Sequence, residues 1–263
     1  MDLILMKRRE YMDLKIELYN DHFQNYKRYC IPKAQLVIAD IPYNLGNNAY
    51  ASSNEWYVGG SNKNGESEKA NKAFFDTDKD FRIAEFMHFC SKMLIKEPKE
   101  VGKAPCMIVF CAYQQQGMVI DYAKRYGFNH YIPLVFIKKT SPQVLKANMK
   151  IVGATEYALV LYRDKLPKFN NYGKMVKNWF EWSYDGSYPK IHPTQKPIPV
   201  LKELISIFTD AGDVVIDPCA GSASTLRACA ELNRHCFGFE IKKEFYRSAK
   251  KEMLSDVNLS LSL

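Results

Sequence analysis

The chain lacks most of the features that would sort it into a specialised class. Within its 263 residues no apolar run approaches the roughly 18 to 20 residues that cross a bilayer as a helix, so no membrane partner is expected. The N-terminal stretch MDLILMKRREYMDL carries its charges after a short apolar run and has no small-residue cleavage site, so no signal peptide is expected in it. No two of the seven cysteines form a C-x-x-C pair, and an odd number suits no closed disulfide framework. Most stand among apolar residues, as Cys106 and Cys111 do on either side of MIVF, and read as small buried hydrophobes. The five histidines have no ligand spacing, so no metal is expected. The expected location is the cytoplasm, with nucleoid association if the protein is prokaryotic or phage-encoded.

What is present is an ordinary globular composition, 47% hydrophobic and 25% charged, with a net charge of +8 and a pI near 9.0. The basic balance, with 13% aromatic residues, tilts modestly towards a polyanionic partner. Strand and helix patterns alternate along the chain. KIELYN and QLVIAD read as strands, with a short helical segment between them that Asp21 could cap. The segment from Asp80 to Glu97 has amphipathic helical spacing, and CMIVFCA is a buried strand followed by a helix ending at Gly127. YIPLVFIKK and TEYALVLYR are two further strands, and Pro197–Asp210 is a helix opened by proline. DVVIDPCAGSAS enters the helix TLRACAELN, and HCFGFEI precedes the last helix, KEFYRSAKKEML. Apolar strands alternating with helices predict a doubly wound, mostly parallel α/β sheet. Two stretches, Asn44–Asp78 and Asp164–Lys190, show neither pattern and are expected to be functional loops.

Four constellations stand out. In LVIADIPYNLG a buried strand delivers Asp40 and then Tyr43 to its own end. In VVIDPCAGSASTL a strand ends in Asp217 and turns through small residues into a helix, at the edge where doubly wound folds bind ligands. That turn is neither a G-x-G-x-x-G fingerprint nor a phosphate loop, and its acid suits a cationic or hydroxyl-bearing ligand. In CFGFEI, Glu240 ends the following strand, where an acid can accept both hydroxyls of a ribose. In KIHPTQKPIPVL two prolines bracket a polar Thr-Gln-Lys; by composition alone this is a plain helix-entry turn.

Taken together and in this order, the four stretches resemble motifs of the amino-group DNA methyltransferases, β group. DIPY looks like their D-P-P-Y, HPTQKP like the motif before the cofactor half, and DPCAGSAST like D-P-F-x-G-S-G-T. The resemblance implies a seven-stranded class I methyltransferase (Rossmann-like) sheet in permuted motif order. It also implies a single catalytic domain, 1–263, with target or DNA-recognition loops at 44–78 and 164–190. The implied cofactor is S-adenosyl-L-methionine and the implied partner double-stranded DNA, with room for a homodimer and for a restriction–modification role. Asp40 and Tyr43 would face a flipped-out base, with the Ile41 carbonyl as a second acceptor and Pro42 fixing the backbone. Asp217, Pro218, Cys219, Gly221, Ser222 and Ala223 would line the cofactor loop, and Glu240 would bind the ribose. Thr194, Gln195 and Lys196 would lie near the methionine end. Ile41, Cys219 and Ala223 depart from the family pattern, standing for a proline, a phenylalanine and a glycine. An aspartate at the head of DIPY points to adenine N6 as the target, with cytosine N4 the alternative. An RNA or protein methyltransferase, or a nucleic-acid-binding module without catalysis, are further alternatives.

Overall fold

A computed structural model describes residues 14–43, 81–139, 144–146, 149–192 and 194–260. The strands are β1 (Ile16–Tyr19), β2 (Leu36–Asp40), β3 (Cys106–Phe110), β4 (His130–Lys138), β5 (Val144–Lys146), β6 (Ile151–Val152), β7 (Thr155–Tyr162), β8 (Trp179–Trp182), β9 (Val214–Asp217) and β10 (His235–Phe239). The helices are α1 (Ile83–Met93), α2 (Gln116–Arg125), α3 (Ile198–Phe208), α4 (Ser224–Glu231), α5 (Lys243–Ser248) and α6 (Ser255–Ser260). The main sheet has the order β1-β10-β9-β2-β3-β7-β4-β8, and β5 and β6 form a separate small hairpin. Only β7 runs antiparallel to its neighbours, so the mostly parallel doubly wound sheet is present.

Alternation along the central strands feeds two cores. Leu36 and Ile38 of β2, with Cys106 and Ile108 of β3, join the apolar face of α3 and the inner face of α4. Val37 and Ala39, with Met107 and Val109, join α1 and α2 on the opposite face. In α1 the buried residues Ile83, Phe86, Met87, Cys90 and Met93 recur at helical spacing, as the sequence predicts. Five cysteines are buried, Cys219 is half-buried and only Cys30 is exposed, and none is bridged.

The differences from expectation have local causes. Helix α1 is shorter than the predicted 80–97, because after Met93 the backbone is drawn into pairing with Ala34. Its N-cap is Arg82, without a side-chain cap, and Asp80 lies outside the described residues. Asp21 does not cap the short 3-10 helix Phe23–Arg28; His22 does, while the Asp21 carboxylate accepts from Asn25 and Tyr29. The last predicted helix, 243–254, divides into α5 and a π-turn at Ala249–Met253, and α6 follows it. The sheet carries an eighth strand, β8, out of a stretch read as a loop. Within Trp179–Trp182 the burial alternates, placing Phe180 and Trp182 against Phe136 with ring centroids 5.5 and 6.0 Å away. Upstream, the buried Lys168 pairs with Asp210 at 2.8 Å and Asp213 at 2.7 Å, so Asp164–Lys190 is largely pinned to the fold. The expected loop 44–78 lies outside the described residues.

Strand β10 is held tightly against α4 at one position. A Cβ added at Gly238 would lie 2.7 Å from Leu226 Cδ1, 3.1 Å from Ala220 Cβ and 3.3 Å from Leu18 Cδ1. Leu226 is fully buried and has little room to move. Gly238→Ala is therefore expected to cost about 1–3 kcal/mol of overpacking, read as a lower urea midpoint with an unchanged m-value.

Candidate active site

The carboxyl ends of three neighbouring parallel strands each deliver an acid. Asp40 ends β2, Asp217 ends β9, and Glu240 follows β10 directly, in the spatial order β10-β9-β2. Each strand ends there because its apolar run ends there. One more backbone bond, Ile41 N–H to the Phe110 carbonyl at 3.2 Å, carries the β2–β3 ladder just past Asp40. The side chain of Ile41 is 1% exposed and belongs to the core on the α1 side, so this residue is an anchor as well as a backbone carbonyl. The next carbonyl, that of Pro42, accepts from Gln115 Nε2 at 3.0 Å, and Gln115 Oε1 accepts from the Ala112 N–H at 3.0 Å. The turn that carries Tyr43 is thereby tied to the end of β3.

The charges around Asp40 form one cluster. Lys196 Nζ donates to Asp40 Oδ2 at 2.5 Å and stands 3.6 Å from Glu156 Oε2. Lys138 Nζ donates to Glu156 Oε1 at 2.5 Å, and the Tyr43 hydroxyl donates to Glu156 Oε2 at 3.0 Å. The rings of Tyr43, Phe110 and Trp182 surround the Lys196 ammonium, with centroids 5.5, 5.4 and 5.7 Å away. Burial alone would depress the Lys196 pKa, but Asp40 and Glu156 outweigh it and hold the lysine charged. Burial likewise pushes Glu156 up, and Lys196 and Lys138 bring it below its ordinary value. Asp40 is raised by its own burial against the pull of Lys196, with the Glu156 charge adding to the rise. The Tyr43 hydroxyl is raised by burial and then by Glu156. Among the described residues, two buried side-chain polar atoms have no hydrogen-bond partner: Asp40 Oδ1 and Trp182 Nε1.

The second half of the site is a turn of small residues. Pro218 is buried, and the Cys219 N–H donates to Asp217 Oδ1 at 3.0 Å. Gly221 and Ala223 both take left-handed backbone, with φ of 51° and 61°. Ala223 thus adopts the conformation of the glycine it replaces. Ser222 Oγ pairs with Ser224 Oγ at 2.8 Å, and both serines are buried. Glu240 Oε2 accepts from the Gly221 N–H at 2.9 Å and Oε1 from the Lys242 N–H at 2.6 Å, so the acid shapes the turn. Burial raises Glu240 and lifts Asp217 to about 7, with Asp40 and Glu240 adding to the rise at Asp217. Cys219 is raised by burial and by Asp217.

The Thr-Gln-Lys stretch behaves less uniformly than the sequence reading supposes. Lys196 turns into the Asp40 cluster, whereas both ends of the Gln195 amide are used within its own turn, on the Ile191 N–H and the Pro189 carbonyl. Thr194 is exposed and its hydroxyl pairs with His192 Nδ1 at 3.0 Å. Sequence reasoning missed Glu156, Lys138, Gln115 and Trp182. A signal for two of them exists: an acid enters TEYALVLY just where a lysine leaves YIPLVFIKK, and unlike charges on adjoining strands mark a buried pair.

Comparison with known proteins agrees with this geometry. Residues 34–251 match the DNA methylase family N6_N4_Mtase. The DNA adenine methyltransferase YhdJ of Escherichia coli K12 is 23% identical over 264 residues, covering 92% of this chain and 83% of that protein. Some other curated relatives align over less than two thirds of their own length. Among solved structures, the M1.HpyAVI–SAM complex gives a TM-score of 0.63 at 22% identity, covering 90% of this chain and 98% of that one. The cytosine-N4-specific PvuII DNA methyltransferase also gives 0.63, at 16% identity, covering 93% and 92%. At these identities the structural likeness establishes the fold, a class I methyltransferase sheet. With the family match running from just before β2 to beyond β10, the chain belongs to the DNA methylases, enzymes that methylate the exocyclic nitrogen of adenine or cytosine.

Proposed function

We propose that this enzyme transfers a methyl group from S-adenosyl-L-methionine to N6 of adenine in double-stranded DNA, with the target base turned out of the helix. The observation that carries the reading is Asp40 Oδ1, a buried acceptor without a partner at the end of β2, beside the anchored Tyr43. An exocyclic amine is a poor nucleophile because its lone pair is delocalised into the ring. Acceptors aimed at its two N–H bonds draw it towards tetrahedral geometry and stabilise the positive charge that develops there. Asp40 Oδ1 is one such acceptor and the Ile41 carbonyl is the other. Turning out the base costs a few kcal/mol, and stacking on the Tyr43 ring returns about 1–3 kcal/mol of it. Aspartate rather than serine in DIPY supports adenine over cytosine.

The residues present fit the cofactor. A row of three carboxylates suits a cation with hydroxyl donors, and the left-handed turn at Gly221–Ala223 allows close backbone approach. The cofactor supplies a methyl group on an already activated sulfonium. Asp217 would meet its positive charge, and Glu240, whose oxygens each keep a second lone pair, would accept from the ribose. Pro218, Cys219 and Ser222 form the wall of that turn. Thr194 lies towards the methionine end, with Gln195 shaping its loop. The net charge of +8 favours DNA, and the exposed Lys174, Met175 and Tyr172 within 164–190 extend the DNA-facing surface.

Nucleoside mass spectrometry of DNA treated with the enzyme is expected to show N6-methyladenine; N4-methylcytosine alone would overturn the adenine assignment. Asp40→Ala is expected to lower methyl transfer by about 10²–10³-fold while the calorimetric Kd for the cofactor stays within a few-fold. Wild-type turnover in that variant would sink the mechanism. A bound cation favours the ionised form of Asp217, so cofactor binding at pH below about 7 must expel the proton. The Kd should therefore rise as pH falls through 7, by at most about tenfold per pH unit, and Asp217→Asn should flatten that dependence while weakening binding at pH 8.

A further inference from the structure

Glu156 lies at the start of β7, far along the chain from DIPY, yet it touches Tyr43, Lys196 and Lys138 at the base-facing end. Its Oε2 accepts from the Tyr43 hydroxyl at 3.0 Å with Lys196 Nζ 3.6 Å away, and its Oε1 accepts from Lys138 at 2.5 Å. Lys138 is itself fixed, 5.0 Å over the Trp182 ring. We propose that Glu156 is a positioning residue for methyl transfer, holding Tyr43 and Lys196 so that Asp40 keeps Oδ1 unpaired for the target amine and the lysine charge is compensated. The inference rests on the proposed reading of Asp40 and Tyr43 as the residues that meet the base.

The physical argument is electrostatic. Lys196 must stay charged to orient Asp40 through Oδ2, but an ammonium so close to the reacting nitrogen opposes the positive charge that grows on it as the methyl arrives. A carboxylate beside the ammonium cancels that opposition without displacing the lysine from Asp40. The same carboxylate fixes the hydroxyl of the ring on which the base stacks, so one residue governs both the acceptor and the platform. An uncharged acceptor at this position would orient the groups but could not compensate the charge. The groups facing Asp40 are Lys196, Glu156, Tyr43, Cys111, Asp217 and Cys219, and among them only Lys196 is positive.

The test uses the intact enzyme, labelled cofactor and duplex DNA. Glu156→Gln keeps the shape and an acceptor for Tyr43 but removes the charge. It is expected to lower kcat by about 10- to 100-fold, with the cofactor Kd and the KM for DNA within about threefold. Both limbs of the kcat–pH profile should move to lower pH, since Asp40 loses a neighbouring negative charge and Lys196 loses one of its two counter-charges. In a Lys196→Met background the same substitution should have much less effect, because Glu156 is argued to act largely through that lysine. An unchanged kcat and pH profile, or fully additive losses in the double variant, would overturn the proposal. If Glu156→Gln leaves Lys138 too poorly paired to fold, Glu156→Gln with Lys138→Met removes the stranded charge as well, and a smaller fall and pH shift in the same directions are expected of it. Asp40→Ala separates the two readings. Turnover retained there defeats the assignment of Asp40, whereas a dead Asp40→Ala beside an unaffected Glu156→Gln defeats only the role of Glu156.

Discussion

A buried ammonium must be met by carboxylates, and the functional end of this protein is organised by that requirement at Lys196. The lysine is 8% exposed and enters from the turn before α3, while its two partners come from β2 and β7. Removing one partner of a buried ion pair typically costs about 3–5 kcal/mol because the other is left uncompensated. The turn before α3, the end of β2 and the start of β7 are therefore locked to one another by charge as well as by packing. The aromatic wall of Tyr43, Phe110 and Trp182 keeps water from the cluster and so raises the stakes of each pairing.

The acids at the ends of β9 and β10 form a different environment from the Asp40 cluster although they stand next to it. Among the described residues Asp217 has no lysine against it, accepting instead from the Cys219 N–H and the Thr225 hydroxyl, and burial lifts it to about 7. Asp40 has a lysine at hydrogen-bonding distance. Neighbouring strand ends thus carry acids in unlike electrostatic states, one directly paired and one poised for a cation. That division matches the two tasks proposed for them, receiving an amine and receiving a sulfonium cofactor, on one continuous edge of a sheet.

Much of this was legible in the sequence because it lies in local patterns. The unbroken apolar runs ending in Asp40 and Asp217 announce buried parallel strands and also name their terminal acids. The helical spacing of α1 and the small-residue turn before α4 are equally local. What was not legible depends on contacts between distant segments. Strand β8 looked like a loop because four residues, WFEW, sit within a long polar and aromatic stretch, and only pairing with β4, with Phe180 stacked on Phe136, makes them a strand. Lys196 read as a cofactor contact because its partners are 156 and 40 residues away. Glu156 read as an ordinary strand residue for the same reason. Side chains that act through long-range charge pairing leave little periodic trace.

The sheet order has a consequence for how the molecule is assembled. Among the described residues, strand β1 pairs with β10 alone, the last of these strands in the chain, with Ile16 opposite Cys236 and Tyr19 opposite Phe239. On a ribosome, β1 waits for β10 before it has a neighbour in the described sheet. Its closure joins contacts with very large sequence separation, the kind whose loop entropy is lost late and slowly. The fold is in this sense a clasp. The strand leading to Glu240 is fastened by β1, from far upstream in the chain, and this edge of the sheet is complete only when synthesis has passed β10.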